Sequence, residues 1–251
     1  MASILSIGTT HPWNIAGVGL DLTVGAELGA TVLTVVAAVS AQDAAGVRDL
    51  HPVPHATFAA QLACVPWREV AAIRVGALPN AAAVATVAEA LVASGAPAVV
   101  DPVVAATRGG ALGDDAVLPA LRERLAGLPN VILTPNLDEA ARLLGRETIA
   151  RDDLADAAAK LRARGARAVL LKGGHLDGAP CDALATVDGV TTFADDRLAH
   201  GMRGTGCVLA AALACALGRG DALSDAVAFA RAFVREKIAH ARERGGLRVA
   251  Y

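Results

Sequence analysis

Val131-Ile132-Leu133-Thr134-Pro135-Asn136-Leu137-Asp138-Glu139-Ala140 decides how this chain is to be read. Three aliphatic residues make an apolar run long enough only for a short buried strand, and Thr134-Pro135-Asn136 ends it. Asn136 with Glu139 three residues on is a capping-box start for a helix over 137–144. A buried strand that turns directly into a helix is the building unit of a parallel sheet covered by helices.

The same alternation runs along the chain. Short Val/Ile/Leu runs at 3–7, 31–37, 71–75, 98–100 and 168–171 predict further strands. Longer stretches at 17–28, 54–64, 80–94, 114–125, 151–164, 206–217 and 224–241, most of them alanine-rich, predict helices, several ended by glycine. The segments 183–187 and 190–193 differ, because Asp188-Gly189 between them is a hairpin turn signal. The expectation is an α/β fold, a three-layer α/β/α sandwich. Its central sheet is mainly parallel, with an antiparallel hairpin at one edge. The tail after Arg242 reads as polar and frayed. No linker or repeat divides residues 1–251, which are read as a single domain.

Composition narrows the function. Hydrophobic residues make up 54% of the 251 residues and aromatics only 3%, so a large core must be built from Ala, Val and Leu. The formal charge of −2 leaves no electrostatic footprint for nucleic acid. Apolar runs are broken before they reach membrane-spanning length, and the N-terminus lacks the basic and apolar regions of a signal peptide. Cys64, Cys181, Cys207 and Cys215 show no zinc-ligand spacing. A reduced, cytoplasmic protein that binds neither nucleic acid nor membrane is expected.

Polar residues gather just after the expected strands: Gly8 and Thr9, Gly76, Asp101, Asn136 and Lys172. Ligands of open α/β sheets bind at these carboxyl ends. Any one of them could simply cap a helix; together they predict a site. Gly204-Thr205-Gly206-Cys207 opens the alanine-rich run 206–217. A glycine turn feeding a helix aims backbone N–H groups and the positive dipole end at one point, which suits an anion. The same position is expected to lower the Cys207 thiol pKa. The alternative is a plain glycine turn before a core helix, with Cys207 as a small buried residue.

Taken in order, these segments resemble a known family. They are Asp101-Pro102-Val103-Val104, Leu133-Thr134-Pro135-Asn136-Leu137-Asp138-Glu139-Ala140, Leu170-Leu171-Lys172-Gly173-Gly174-His175-Leu176 and Gly204-Thr205-Gly206-Cys207. The set is similar to the hydroxymethylpyrimidine/phosphomethylpyrimidine kinases of thiamine biosynthesis, within the ribokinase-like superfamily. Ser40-Ala41-Gln42-Asp43 and Val75-Gly76-Ala77-Leu78 add to the likeness, which runs from the first strand to about Lys237.

The resemblance implies a ribokinase-like fold and an ATP- and Mg²⁺-dependent kinase, usually a homodimer. Its substrate would be a small heterocyclic alcohol, hydroxymethylpyrimidine or its monophosphate. Gly204, Thr205 and Gly206 would form the anion hole, and Cys207 would take the substrate hydroxyl proton. Lys172, Asn136, Thr134 and His175 would serve the nucleotide, and Asp101 and Glu139 the metal. Gln42, Asp21, Gly17, Gly8, Trp13 and Arg203 would stand on the substrate side.

The chain departs from the family pattern in four places. Where the family reads like GTDPSGGAG, this chain has a bulkier first loop, Gly8-Thr9-Thr10-His11-Pro12-Trp13-Asn14-Ile15-Ala16-Gly17. Arg203 precedes the GTGC turn where the family has His. Ala77 replaces a Met, and the family's GHGPLxH-like tail is missing. Two rival expectations stay in play: a pyridoxal-type kinase, whose substrate has a similar ring and hydroxymethyl group, and a catalytically weak ligand-binding relative, which the bulky loop motivates.

Overall fold

The computed structural model describes residues 3–103, 109–174 and 179–251. Nine of its strands are β1 (Ser3–Thr9), β2 (Thr31–Asp43), β3 (Gly46–Pro52), β4 (Val70–Val75), β5 (Ala98–Val100), β6 (Val131–Leu133), β7 (Ala168–Gly173), β8 (Cys181–Thr186) and β9 (Gly189–Ala194). They form one sheet in the order β3-β2-β1-β4-β5-β6-β7-β8-β9. The six strands from β2 to β7 in that order run parallel, and β3, β8 and β9 join antiparallel at the two ends.

Helices cover both faces. On one face lie α2 (His55–Ala63), α3 (Ala81–Ser94), α4 (Val117–Ala120), α5 (Leu137–Leu144) and α6 (Leu154–Arg162). On the other lie α1 (Gly17–Glu27), α7 (Thr205–Gly218) and α8 (Leu223–Ala239). Side chains alternate between the two cores as a strand's pleat requires. Leu5, Ile7, Ile73, Val75, Val100 and Leu133 face the first set of helices. Ile4, Ala72, Val99, Ile132 and Leu170 face the second. α7 crosses β1, β4 and β5, and every residue from Val208 to Leu217 is buried. A helix apolar all round belongs inside, and its alanines let it lie close to the sheet.

The three-layer sandwich, the mainly parallel sheet and the hairpin at β8–β9 agree with the sequence reading. Three local expectations need correction. The strand expected at 31–37 continues to Asp43 and folds back as β3, giving a second antiparallel edge. The helix expected over 114–125 is α-helical only at Val117–Ala120 and widens into a π-helical turn at Leu121–Leu125.

The tail is not frayed. β10 (Arg242–Arg244) and β11 (Leu247–Val249) form a hairpin whose Leu247 and Val249 are buried with Ile15 and beside Trp13 and Ala44. Tyr251 then donates its hydroxyl to Glu27 at 2.6 Å. The tail's charged residues mask the two apolar side chains that seat it.

Candidate active site

The polar residues converge because one face of the sheet changes character near its carboxyl end. The row that begins with Ile4, Ala72, Val99, Ile132 and Leu170 continues, two residues further along each chain, as Ser6, Arg74, Asp101, Thr134 and Lys172. These five side chains come from five adjacent strands, β1, β4, β5, β6 and β7, or the residues just after them. They lie under α1 and the start of α7.

Direct contacts join them. Lys172 Nζ donates to Asp101 Oδ1 at 2.7 Å, and the Thr134 hydroxyl reaches the same oxygen at 3.3 Å. Ser6 donates to Asp21 Oδ2 at 2.6 Å, and Arg74 Nε lies 3.4 Å from that oxygen. Asp21, Arg74 and Asp101 are each only 2% exposed. Asn136 caps α5 by accepting from the Glu139 N–H, while Glu139 Oε2 accepts from the Asn136 N–H, both at 2.8 Å. This is the capping box expected from the sequence. Lys172 donates its N–H to Pro135 O at 2.9 Å, which holds the helix start beside the lysine.

Above this row opens the N-terminus of α7. Gly204 caps it with no side-chain hydrogen bond and φ of 79°, a left-handed conformation that favours glycine. The N–H groups of Thr205, Gly206 and Cys207 have no partner within the helix, as in any first turn. A Cβ added at Gly206 would lie 3.2 Å from Lys172 Nζ and 3.6 Å from Asp101 Oδ2. The turn, the ammonium and the carboxylate therefore share one small space, in which an anion meets N–H donors, a helix dipole and a cation.

Electrostatics refine two expectations. Burial pushes the Cys207 thiol up, although Arg74 and the Gly17 N–H pull it the other way. The lowering expected at the helix start is corrected: lost hydration, with Asp101 and Asp21 nearby, outweighs the pull of Arg74 and the Gly17 N–H, and the group rests as a thiol. Burial also pushes Glu139 up to about 7, against the pull of Lys172. Asp101 and Glu139 supply two carboxylates, and no group of three or more His, Cys, Asp or Glu gathers for a metal among the described residues. That donor set fits Mg²⁺, which keeps several waters and takes the rest from one or two carboxylates and substrate phosphates.

The substrate-side residues lie further out. Gln42, on β2, donates to Ser40 Oγ at 2.7 Å, and Ser40 N donates to Thr10 Oγ1 at 3.1 Å, tying the β2–β3 hairpin to the first loop. Gly8, next to last in β1, lies beside the Arg74 guanidinium, and Gly17 opens α1. Asp21 is enclosed beneath the site, held by Ser6 and Arg74. Trp13 packs with Ile15 against the C-terminal hairpin, and Arg203 N donates to Arg248 O at 2.9 Å. His175 lies outside the described residues.

Sequence reasoning missed Arg74, Ser6 and the hairpin β10–β11. A lone arginine inside Val70-Ala71-Ala72-Ile73-Arg74-Val75 was the available signal for the first.

With this geometry in place, comparison with known proteins decides the family. The family profile for phosphomethylpyrimidine kinase matches residues 13–249. The chain belongs to that family. It is 38% identical over 250 residues to the hydroxymethylpyrimidine/phosphomethylpyrimidine kinase of Streptomyces coelicolor, covering 97% of this chain and 91% of that one. It is 39% identical over 242 residues to the enzyme of the same name from Mycobacterium tuberculosis, covering 93% and 86%. Among solved structures, the pyridoxal kinase of Staphylococcus aureus in complex with pyridoxal superposes with a TM-score of 0.90 at 26% identity, covering 99% and 92%. Its complex with AMP-PCP and pyridoxal gives 0.88 over the same shares. The matched span takes in both the bulky first loop from Trp13 onward and the tail hairpin, so neither lies outside the family's fold.

Proposed function

We propose that this family member is an ATP-dependent kinase that phosphorylates the hydroxymethyl group of hydroxymethylpyrimidine, its monophosphate, or both, in thiamine biosynthesis. The observation that carries the reading is the open N-terminus of α7 facing Lys172 and Asp101 across the space that Gly206 leaves free.

In this reading the N–H groups of Thr205, Gly206 and Cys207 hold the oxygens of the transferring phosphoryl group. They are aimed before the reaction begins, so charge that develops there meets donors already in place. Lys172 adds a point charge on the polyphosphate, and Asp101 and Thr134 fix where that ammonium sits. The substrate hydroxyl oxygen forms a bond to the γ-phosphorus, and the bond from that phosphorus to the bridging oxygen of ADP breaks. The hydroxyl proton leaves toward Cys207 Sγ, at the base of the same turn. Asn136 and Glu139 lie beside Lys172, and Glu139 and Asp101 would hold Mg²⁺ through its waters. That ion would neutralise phosphate charge. Gln42, Trp13 and Arg203 form the outer, substrate side with Gly8 and Gly17. A homodimer and a reduced, cytoplasmic setting are part of the proposal.

A second reading, pyridoxal kinase, is favoured by the close superposition on the S. aureus enzyme. ADP release from ATP and Mg²⁺ with hydroxymethylpyrimidine, its monophosphate and pyridoxal, each alone, separates the two. Turnover with either pyrimidine is expected. Turnover with pyridoxal alone would replace the proposal with the second reading. Nucleotide binding with no turnover would leave a ligand-binding relative.

A further inference from the structure

Arg74 borders the Cys207 thiol but has no assigned contact with nucleotide or substrate, yet it is the most unusual residue near the site. Its guanidinium sits inside the sheet's α7 face with Nε 3.4 Å from Asp21 Oδ2 and Nη2 3.8 Å from Asp101 Oδ2. Neither nitrogen makes a hydrogen bond, and Asp21 Oδ1 has no partner either. A buried charge without full hydrogen bonding is a poor source of stability, and well-packed apolar residues often do as well or better. The backbone also makes room for it. A Cβ at Gly76 would lie 1.8 Å from Arg74 Nη1, so that glycine is required by the arginine's position.

The contacts form a chain with a direction. Ser6 and Arg74 are register partners on β1 and β4. Ser6 holds Asp21, Asp21 faces Arg74, Arg74 faces Asp101 Oδ2, and Asp101 Oδ1 holds Lys172. The two ends of the Asp101 carboxylate thus face two different cations, one buried and one beside the anion space. If Arg74 were neutral, two buried carboxylates would lie under a site meant for a polyphosphate. Lys172 would then be their nearest cation and would be drawn toward them.

We infer that Arg74 is a positioning residue for nucleotide binding: it holds Asp101 from below, so that Lys172 stays aimed at the phosphate space beside Gly206. It also borders the Cys207 thiol, but its effect on nucleotide binding runs through Asp101 and Lys172. The inference rests on the phosphate-site reading given above.

Calorimetric titration with ADP, at fixed salt, tests it through a double-mutant cycle between Arg74→Met and Lys172→Met. Arg74→Met is expected to weaken ADP binding at least 10-fold in the wild-type background. In the Lys172→Met background it is expected to have less than about a 3-fold effect, because the group it acts through is gone. Arg74→Lys, which keeps the charge, is expected to stay within about 3-fold of wild type. Equal losses in the two backgrounds would overturn the inference, since a purely structural role weakens both alike. Unchanged ADP affinity in folded Arg74→Met would overturn it too.

Should Arg74→Met not fold, Asp21→Asn/Arg74→Met replaces it in the cycle, with Asp21→Asn as parent. That pair removes one carboxylate together with the guanidinium. Failure of wild-type protein to bind ADP would overturn the nucleotide site itself and this inference with it. The wild-type titration alone distinguishes that outcome from the others.

Discussion

A side chain at position 206 would sit in close contact with the Lys172 ammonium. The backbone there is helical, so alanine has no conformational penalty and a helix preference worth up to about 1 kcal/mol. Its methyl would nonetheless press on Lys172 Nζ and crowd the anion space. Gly206→Ala is therefore expected to hold or raise the melting temperature while lowering kcat about 10- to 100-fold, less than the roughly 100- to 1,000-fold that follows outright loss of an oxyanion-hole donor. A thermal melt and a rate on the same sample check both halves; an unchanged rate would remove the anion hole from this turn. Glu139 makes the opposite kind of prediction. Burial lifts its folded-state pKa to about 7, above the 4.5 of an ordinary glutamate. Between those values the folded protein holds a proton that the unfolded chain has lost, so stability falls as pH rises through that window. Glu139→Gln keeps an acceptor for the Asn136 N–H and carries no charge. Its melting temperature should exceed wild type by several degrees at pH 8, and the gain should fade as pH falls toward 5. Cys207 follows a third logic. Its thiol is held up by burial, so the wild-type rate should climb with pH above neutrality as the thiolate forms, while Cys207→Ala gives a slower and flatter profile.

Whether an element was legible in the sequence depended on how much of it is buried. β6 and α5 were readable to the residue because one packs three aliphatic residues and the other begins with a capping box. β3 was not, since an edge strand such as Gly46–Pro52 turns much of its length to solvent and carries Arg48, Asp49 and His51 where alternation would show. The tail hairpin hid for the same reason: Arg242, Glu243 and Arg244 are all exposed. Its signal was Gly245-Gly246, both with positive φ, flanking Leu247. The nucleotide side of the site was legible because its groups sit at strand ends and helix starts. Arg74 was not, because a strand interior gives no cue that two acidic residues far away in sequence will meet it. The tail matters because Leu247 and Val249 press on Ile15 beside Trp13, in an apolar cluster separate from both main cores. Leu247→Asp would place a charge there and unseat the hairpin from the first loop. On the substrate assignment proposed here, KM for the pyrimidine should rise about 10-fold while KM for ATP stays within about 2-fold, since only the first loop loses its backing. Equal rises in both would mean that the hairpin supports the whole site.

At the scale of the whole molecule, the site and the sheet are one structure. Ser6, Arg74, Asp101, Thr134 and Lys172 belong to the rows of side chains that pack the strands against α1 and α7. A ligand that neutralises or bridges these groups must stabilise the sheet itself, because it binds the folded chain and has no equivalent on the unfolded one. At a hundred times its dissociation constant, such a ligand adds about 2.7 kcal/mol. For a chain of this length each kcal/mol moves the melting temperature by about 2–4 °C. ADP at that excess should therefore raise the transition by roughly 5–10 °C. The same concentration should move Lys172→Met far less, since its phosphate-side cation is gone. Adding Mg²⁺ should enlarge the wild-type shift and leave that of Glu139→Gln nearly unchanged. A wild-type transition that ADP does not move would mean that the open end of α7 holds no phosphate, whatever the family does there. A shift of equal size in Lys172→Met would place the nucleotide away from the row of polar residues at the sheet's carboxyl end.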